Sequence, residues 1–260
     1  MKKRTCIFCG SNKELTREHV FPDWLSSLFD KKMKGTNEVR GDNLSRTWQS
    51  SLFQDKMKSV CKACNNGWMS DIESDVKPIL IKLAFTYDAH SLTSGDQRKL
   101  ALWAQKTTLV ISKATGGMFD IPYSFYEQLY KQKRPLASIL VTMGWRLPLT
   151  NLRSQPLASF EIKQVSHAIV DKDSVEIAKK QVEDGGLIWA SSLVLGNVVF
   201  QVIGSNLNGG EVTVGGLDSR IFPHIHPYDK DLSWPTEWPI EAVGGLDAVR
   251  KGMYGEVEPE

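Results

Sequence analysis

Two stretches contain all four cysteines of this chain: Cys6-Ile-Phe-Cys9 and Cys61-Lys-Ala-Cys64-Asn65-Asn66-Gly67-Trp68. Two Cys-x-x-Cys pairs supply four thiolates, which is the ligand set of a closed, tetrahedral structural Zn²⁺ site. Four unrelated buried cysteines are the alternative, but the paired spacing favours zinc. A redox role for either pair lacks the βαβ sequence pattern that normally surrounds such a motif. The sequence therefore predicts a zinc centre that joins two distant parts of the chain.

Size and composition are those of an ordinary globular protein. The chain has 260 residues, of which 41% are hydrophobic and 24% are charged, enough for one large or two modest domains. No apolar run approaches the roughly 18 residues of a membrane span, and no apolar segment follows the basic start to make a secretory signal. We expect no membrane association and a cytoplasmic protein, because unoxidised cysteine pairs that bind metal are typical of reducing compartments.

Charge is distributed unevenly between the two parts of the chain. Residues 1–66 carry 13 Lys or Arg and 7 Asp or Glu side chains, a net charge of +6, whereas the remaining residues have a net charge of −4. A positive field on the cysteine-bearing part would attract a phosphate backbone. A basic but merely solvated surface explains the same charge equally well.

Local patterns predict a small zinc module at the start of the chain. The predicted elements are a helix at 23–29 that opens at Pro22, a hairpin around 40–43 and a helix at 65–76. Pro78 is expected to lie just beyond the last helix. A treble-clef zinc finger has this order of elements: a first Cys-x-x-Cys knuckle, a hairpin, a second knuckle and a helix. The predicted domains are therefore a module at 1–78 and a second domain at 79–260.

The second domain is predicted to combine helices with an antiparallel sheet, which makes the whole chain an α+β protein. Ser94-Gly-Asp-Gln97 has the form of a capping box and predicts the start of a long helix. Gly196-Asn197 between two apolar runs predicts a hairpin turn. The remaining expectations are a helix at 124–133, strands at 138–143 and 160–167, and an irregular Pro- and Trp-rich segment at 222–241.

Two further motifs accompany the knuckles. Glu18-His19-Val20-Phe21-Pro22 lies between them, and Asn65 directly follows Cys64. In this order the motifs resemble the HNH, or ββα-metal, nuclease family, and within it the recombination endonuclease VII branch. The resemblance covers about the first 75 residues. The longer phrases Glu-His-Val-Phe-Pro-x-Trp-Leu and Cys-x-x-Cys-Asn-x-Gly-Trp-Met also resemble a bacterial group of HNH-type proteins with a C-terminal domain of unknown role.

The resemblance implies a role for each residue of these motifs. His19 would be the general base, and Glu18 and Asn65 would hold one Mg²⁺ or Mn²⁺ through oxygen atoms, while zinc would be structural. An imidazole and oxygen ligands suit these roles. The chain departs from the family at two positions, since Glu18 stands where Asp is usual and Asn65 where many members have His. Asn66 is adjacent, so either asparagine is a candidate ligand.

DNA is the substrate that the resemblance implies, although RNA is not excluded. Arg17, Arg46 and Lys62 are candidate phosphate contacts. Cleavage of both strands would need a homodimer or two successive nicks, because each HNH module has one active site. The rival hypotheses are a zinc finger that binds nucleic acid without cutting it, and a module whose C-terminal domain docks a protein partner.

Overall fold

The computed structural model describes residues 4–19, 22–26, 34–41, 44–51, 56–86, 88–114, 121–147, 158–164, 187–206 and 218–244. The protein has an α+β fold in which helices accompany antiparallel sheets. Its strands are β1 Leu15–His19, β2 Lys34–Gly41, β3 Leu44–Ser51, β4 Lys56–Cys61, β5 His90–Leu92, β6 Ile139–Trp145, β7 Ala158–Gln164, β8 Ile188–Leu195, β9 Val198–Ser205, β10 His224–His226 and β11 Leu232–Trp234. Its α-helices are α1 Asp23–Ser26, α2 Lys62–Cys64, α3 Ser70–Phe85, α4 Ser94–Ala114 and α5 Tyr123–Gln132.

A ββα unit forms the cysteine-bearing part of the molecule. Strands β1 and β4 pair antiparallel, with Leu15 opposite Cys61 at one end and His19 opposite Lys56 at the other. Strand β4 leads through α2 and one π-helical turn, Asn65–Met69, into α3. The hairpin of β2 and β3 is inserted between β1 and β4. The two cysteine pairs therefore meet at one end of the β1–β4 pair, and His19 lies at the opposite end.

Helix α3 continues to Phe85, beyond the end that the sequence predicts at residue 76, and Pro78 lies inside the helix. A proline inside a helix leaves the carbonyl four residues earlier without its usual N–H partner. That carbonyl belongs to Ser74, and both Ser74 and Pro78 are exposed, so water can hydrogen-bond to it. The helix consequently continues through the position at which the chain was predicted to divide into two domains.

A five-stranded antiparallel sheet, in the order β10-β6-β9-β8-β7, dominates the rest of the fold. Helix α4 packs against it, and the rings of Trp103 and Phe200 meet edge to face at 5.6 Å. The predicted hairpin is confirmed: Gly196 and Asn197 connect β8 to β9. Gly196 has φ +54, and a Cβ there would lie 2.2 Å from the Ala84 carbonyl oxygen. That oxygen accepts a hydrogen bond from the Asn197 amide, which fastens the hairpin to the end of α3.

Two predictions of local structure were wrong in detail. The capping box of α4 is formed one residue earlier, because Thr93 and Asp96 exchange side-chain to backbone hydrogen bonds. Gln97 instead is buried, and its amide donates to the carbonyl oxygens of Leu92 and Lys230. The segment 222–241 is not wholly irregular, since it contains β10 and β11, which pair with β6 and β5. Each of these strands has only three residues. The prolines of the segment lie outside both strands, as expected for a residue that cannot donate a hydrogen bond to a sheet.

The cysteine-bearing part and the part that contains the five-stranded sheet share one hydrophobic core. The ring of Phe8 contacts two other aromatic rings: its centroid lies 5.1 Å from that of Trp68 and 5.8 Å from that of Tyr126. The ammonium group of Lys106 on α4, which is fully buried, lies 2.7 Å from the Glu73 carboxylate on α3. The Phe8–Tyr126 contact and the Lys106–Glu73 ion pair each join residues on opposite sides of position 78. Unfolding of either part would therefore expose surface of the other.

Candidate metal centre and active site

Four cysteine sulfurs come together where the two knuckles meet. Those of Cys6, Cys9, Cys61 and Cys64 all lie within 4.8 Å of one another, and the Cys9 and Cys61 sulfurs are 3.5 Å apart. Tetrahedral Zn–S bonds of about 2.3 Å place sulfurs about 3.8 Å apart. Within the described residues this is the one such group of Cys, His, Asp or Glu side chains. The centre can hold a zinc ion, as the cysteine spacing predicts.

Backbone hydrogen bonds hold the first knuckle in shape. The Gly10 amide donates to the Cys6 carbonyl at 3.0 Å, and the Cys6 amide donates to the Ser11 carbonyl at 2.7 Å. Gly10 has φ +72, in the left-handed region that glycine adopts at little cost. The Ile7 amide donates to the Ser59 carbonyl at 2.9 Å, which ties this knuckle to β4. Backbone hydrogen bonds thus hold the first knuckle against β4, the strand that leads into the second knuckle.

The thiols of the centre differ in acidity. Burial raises the pKa of Cys64 and that of Cys9 above the ordinary thiol value. Burial also acts to raise the pKa of Cys6, but hydrogen bonds from the backbone of Cys9 and Cys61 outweigh it and lower that pKa. Because thiolates are the zinc ligands, a metal that binds here must displace the protons of the less acidic thiols.

Zinc affinity is therefore expected to rise with pH. The Cys9 and Cys64 thiols, whose pKa values burial raises, must each lose a proton when metal binds, and each displaced proton contributes about tenfold in affinity per pH unit. Displacement of these two protons alone gives at least roughly 100-fold per pH unit. Competition with a chelator of known pH dependence between pH 6 and pH 8 measures the slope. An affinity that does not change with pH would contradict this protonation pattern.

His19 lies at the end of β1 that is remote from the cysteines. Its Nε2 atom is 3.3 Å from Oδ1 of Asp23, and the His19 side chain is 20% exposed. Asp23 begins the short helix α1, and no sequence motif identifies it as a site residue. The only feature of the sequence that could have indicated a contact between Asp23 and His19 is their separation of four residues. Glu18 precedes His19 on β1, opposite Met57, and its side chain lies outside the described part of the structure.

Asn65 is connected to β1 by its side chain. Its Nδ2 group donates to Oγ1 of Thr16 at 3.2 Å, and Thr16 in turn donates its hydroxyl proton to the Val60 carbonyl at 3.2 Å. Asn65 is half-buried, whereas Asn66 is exposed. The two asparagines are therefore not equivalent in the structure. Thr16, like Asp23, is absent from the residues that the sequence motifs single out.

The candidate phosphate contacts are only partly described. Arg17 and Lys62 are exposed on β1 and α2. Arg46 lies on β3 opposite Val39, and its side chain is outside the described part. These phosphate contacts stay predictions.

Comparisons with known proteins add nothing to the assignment of this site. No family model, no curated protein and no solved structure matches the chain. None of the described helices is both long enough and apolar enough to cross a membrane. The interpretation of the site therefore depends on its own residues and their geometry.

Proposed function

We propose that this protein is an HNH-type endonuclease that hydrolyses phosphodiester bonds in DNA. The observation that supports the proposal best is the ββα unit, which places His19 at one end of β1 and connects Asn65 to the same strand. The cysteine centre lies at the other end of β1 and adjoins Asn65 in sequence. A zinc ion bound there would fix the distance between the strand and the helix that carry the two residues.

His19 would act as the general base. It would accept a proton from the attacking water, whose oxygen then forms the new bond to phosphorus while the 3′ oxygen leaves. Asp23 lies beside Nε2 of His19, and a carboxylate there favours the tautomer that carries its proton on Nε2. Nδ1 would then be the nitrogen that accepts the proton from water.

Glu18 and Asn65 would hold one divalent cation, Mg²⁺ or Mn²⁺. The Asn65 amide nitrogen is occupied by Thr16, and within the described residues its Oδ1 atom has no hydrogen-bond partner. Amide and carboxylate oxygens are the ligands that such hard cations prefer. When bound, the cation would stabilise negative charge on the phosphate and on the leaving oxygen.

DNA is the proposed substrate, and RNA is the alternative polymer. The cysteine-bearing part of the chain is basic, with a net charge of +6 over residues 1–66, which favours a phosphate backbone. Arg17, Arg46 and Lys62 would contribute phosphate contacts. We further propose a cytoplasmic location, because four reduced cysteines that bind zinc suit that compartment.

A plasmid-cleavage assay with two matched variants tests the proposal. Wild-type protein is expected to nick supercoiled DNA with Mg²⁺ or Mn²⁺ and not without a divalent cation. Asn65→Ala is expected to lower the rate roughly 100-fold, since an oxygen ligand is removed. Asn66→Ala, which changes the exposed neighbour, is expected to cleave at the wild-type rate. Zinc content is measured for all three proteins.

The other results of this assay have definite meanings. If wild-type protein binds DNA but does not cleave it with either cation, the non-cleaving zinc-finger hypothesis replaces the nuclease. If Asn66→Ala is the defective variant, the metal ligand has been assigned to the wrong asparagine. If RNA alone is cleaved, the chemistry stands and the proposed substrate is wrong.

A further inference from the structure

We propose that Thr16 is a positioning residue that orients the Asn65 side chain for the catalytic cation. The inference rests on the proposed function, in which Asn65 is a metal ligand. Thr16 lies on β1, and Asn65 lies in the π-helical turn after Cys64. Their side chains form the one hydrogen bond that the structure gives to the described side chain of Asn65. Thr16 would determine which end of the Asn65 amide faces the cation.

The hydroxyl group of Thr16 has a single proton, and the position of the Val60 carbonyl oxygen determines which hydrogen bond uses it. Thr16 Oγ1 lies 3.2 Å from the Val60 carbonyl oxygen, to which it can only donate. Towards Asn65 the same oxygen must therefore accept, at 3.2 Å. The partner atom on Asn65 must be a donor, and of the two ends of an amide only the nitrogen is one.

The orientation of the amide follows from this chain of hydrogen bonds. With Nδ2 held by Thr16, Oδ1 points to the other side of the side chain. Rotating the amide by half a turn would bring its oxygen against Thr16 Oγ1, and two acceptors would then face each other without a proton. The Val60–Thr16–Asn65 chain thus selects the amide end that binds hard cations. Asn66 is exposed and makes no such contact with β1.

Replacing a residue that hydrogen-bonds to a metal ligand usually has a strong effect on metal affinity. Loss of such a hydrogen bond typically weakens metal binding by about 10- to 100-fold. The prediction for Thr16 is therefore a loss of affinity for the divalent cation, with the zinc centre intact. Thr16 lies opposite Val60, the neighbour of Cys61, but the hydrogen bonds of its hydroxyl group go to Val60 and Asn65 and to no sulfur.

The experiment measures Mn²⁺ binding to zinc-loaded protein by electron paramagnetic resonance, in which bound Mn²⁺ loses the signal of the free ion. Thr16→Val keeps the shape of the side chain and removes the hydroxyl group, so affinity should fall about 10- to 100-fold. Thr16→Ser keeps the hydroxyl group and should stay near the wild-type value. Thr86→Val is the matched control, because Thr86 also donates to a backbone carbonyl, that of Lys82, at the far end of α3.

A double-mutant cycle separates positioning from a general effect on folding. In an Asn65→Ala background, Thr16→Val should change Mn²⁺ affinity no further, because the amide that Thr16 orients is gone. The same loss in both backgrounds, or no loss in the single variant, would overturn the inference. Failure of the nuclease proposal gives a different pattern: Mn²⁺ binding would still depend on Asn65 and Thr16, but no nucleic acid would be cleaved.

Discussion

Replacing His19 by alanine is expected to lower the rate of plasmid cleavage about 1,000-fold, since a positioned general base contributes about 10²–10⁴-fold. In the proposed mechanism the imidazole acts on the attacking water and not on DNA binding, so the loss should appear at saturating DNA and saturating cation. Zinc content should be unchanged, as His19 and the cysteines lie at opposite ends of β1. DNA affinity, measured by fluorescence anisotropy, should change less than about threefold.

His90→Ala provides the matched control for this prediction. His90 is a half-exposed histidine on β5, and its Nδ1 atom lies 2.8 Å from the Asp88 carbonyl oxygen. Its loss is expected to leave cleavage at the wild-type rate. Equal cleavage by wild-type protein and His19→Ala would mean that a contaminant or another site does the chemistry. A His19→Ala protein that has also lost DNA affinity would indicate a binding role for the histidine.

The sequence predicts those features of the site that depend on short spacing. Each Cys-x-x-Cys pair positions its two sulfurs within one turn, so the pairs predict a cysteine centre before any contact is known. The turn at Gly196 and Asn197 is equally local, because it needs only residues that tolerate the turn conformation. Both predictions are confirmed, because each Cys-x-x-Cys pair and the Gly196–Asn197 turn is a local motif, even though the two pairs lie far apart in the sequence.

Contacts between distant residues were not predictable in the same way. The hydrogen bond from Asn65 to Thr16 joins residues 49 positions apart. It depends on the register of β1 against β4, which shifts between Thr16 and Glu18. No periodicity in the sequence fixes such an irregularity. The continuation of α3 through Pro78 likewise depends on which side of the helix faces water.

Aromatic packing connects the cysteine centre to the rest of the chain. Phe8 lies in the first knuckle and touches Trp68, which follows the second knuckle. Trp68 in turn meets Tyr130 of α5 with ring centroids 6.2 Å apart. Phe8 also meets Tyr126 of the same helix. The side of the centre that carries these rings is thus covered by residues of the predicted second domain, so loss of metal should affect both parts of the molecule.

Substituting Cys61→Ser and Cys64→Ser together is expected to abolish zinc binding and to lower the melting temperature by at least about 10 °C. Structural zinc contributes about 10 kcal/mol or more to the folding of small finger domains, and about 1 kcal/mol shifts the midpoint of a chain of this size by about 2–4 °C. The shared core should transmit the loss, so the near-ultraviolet signal of the whole chain, to which the fully buried Trp103 and Trp189 contribute, should melt in one transition at a lower temperature. Circular dichroism and metal analysis measure the two effects.

Ser74→Ala is the control, because Ser74 is exposed on α3 and its hydroxyl group donates to the Ser70 carbonyl within the helix. It should keep its zinc and melt within about 1–2 °C of wild type, as surface substitutions usually do. A cysteine variant whose near-ultraviolet signal melts in two transitions, one of them at the wild-type temperature, would show that the chain divides into independent domains near residue 78. A single, lowered transition would show instead that the zinc centre stabilises the whole fold, because the rings around Phe8 and the Lys106–Glu73 ion pair couple the two parts.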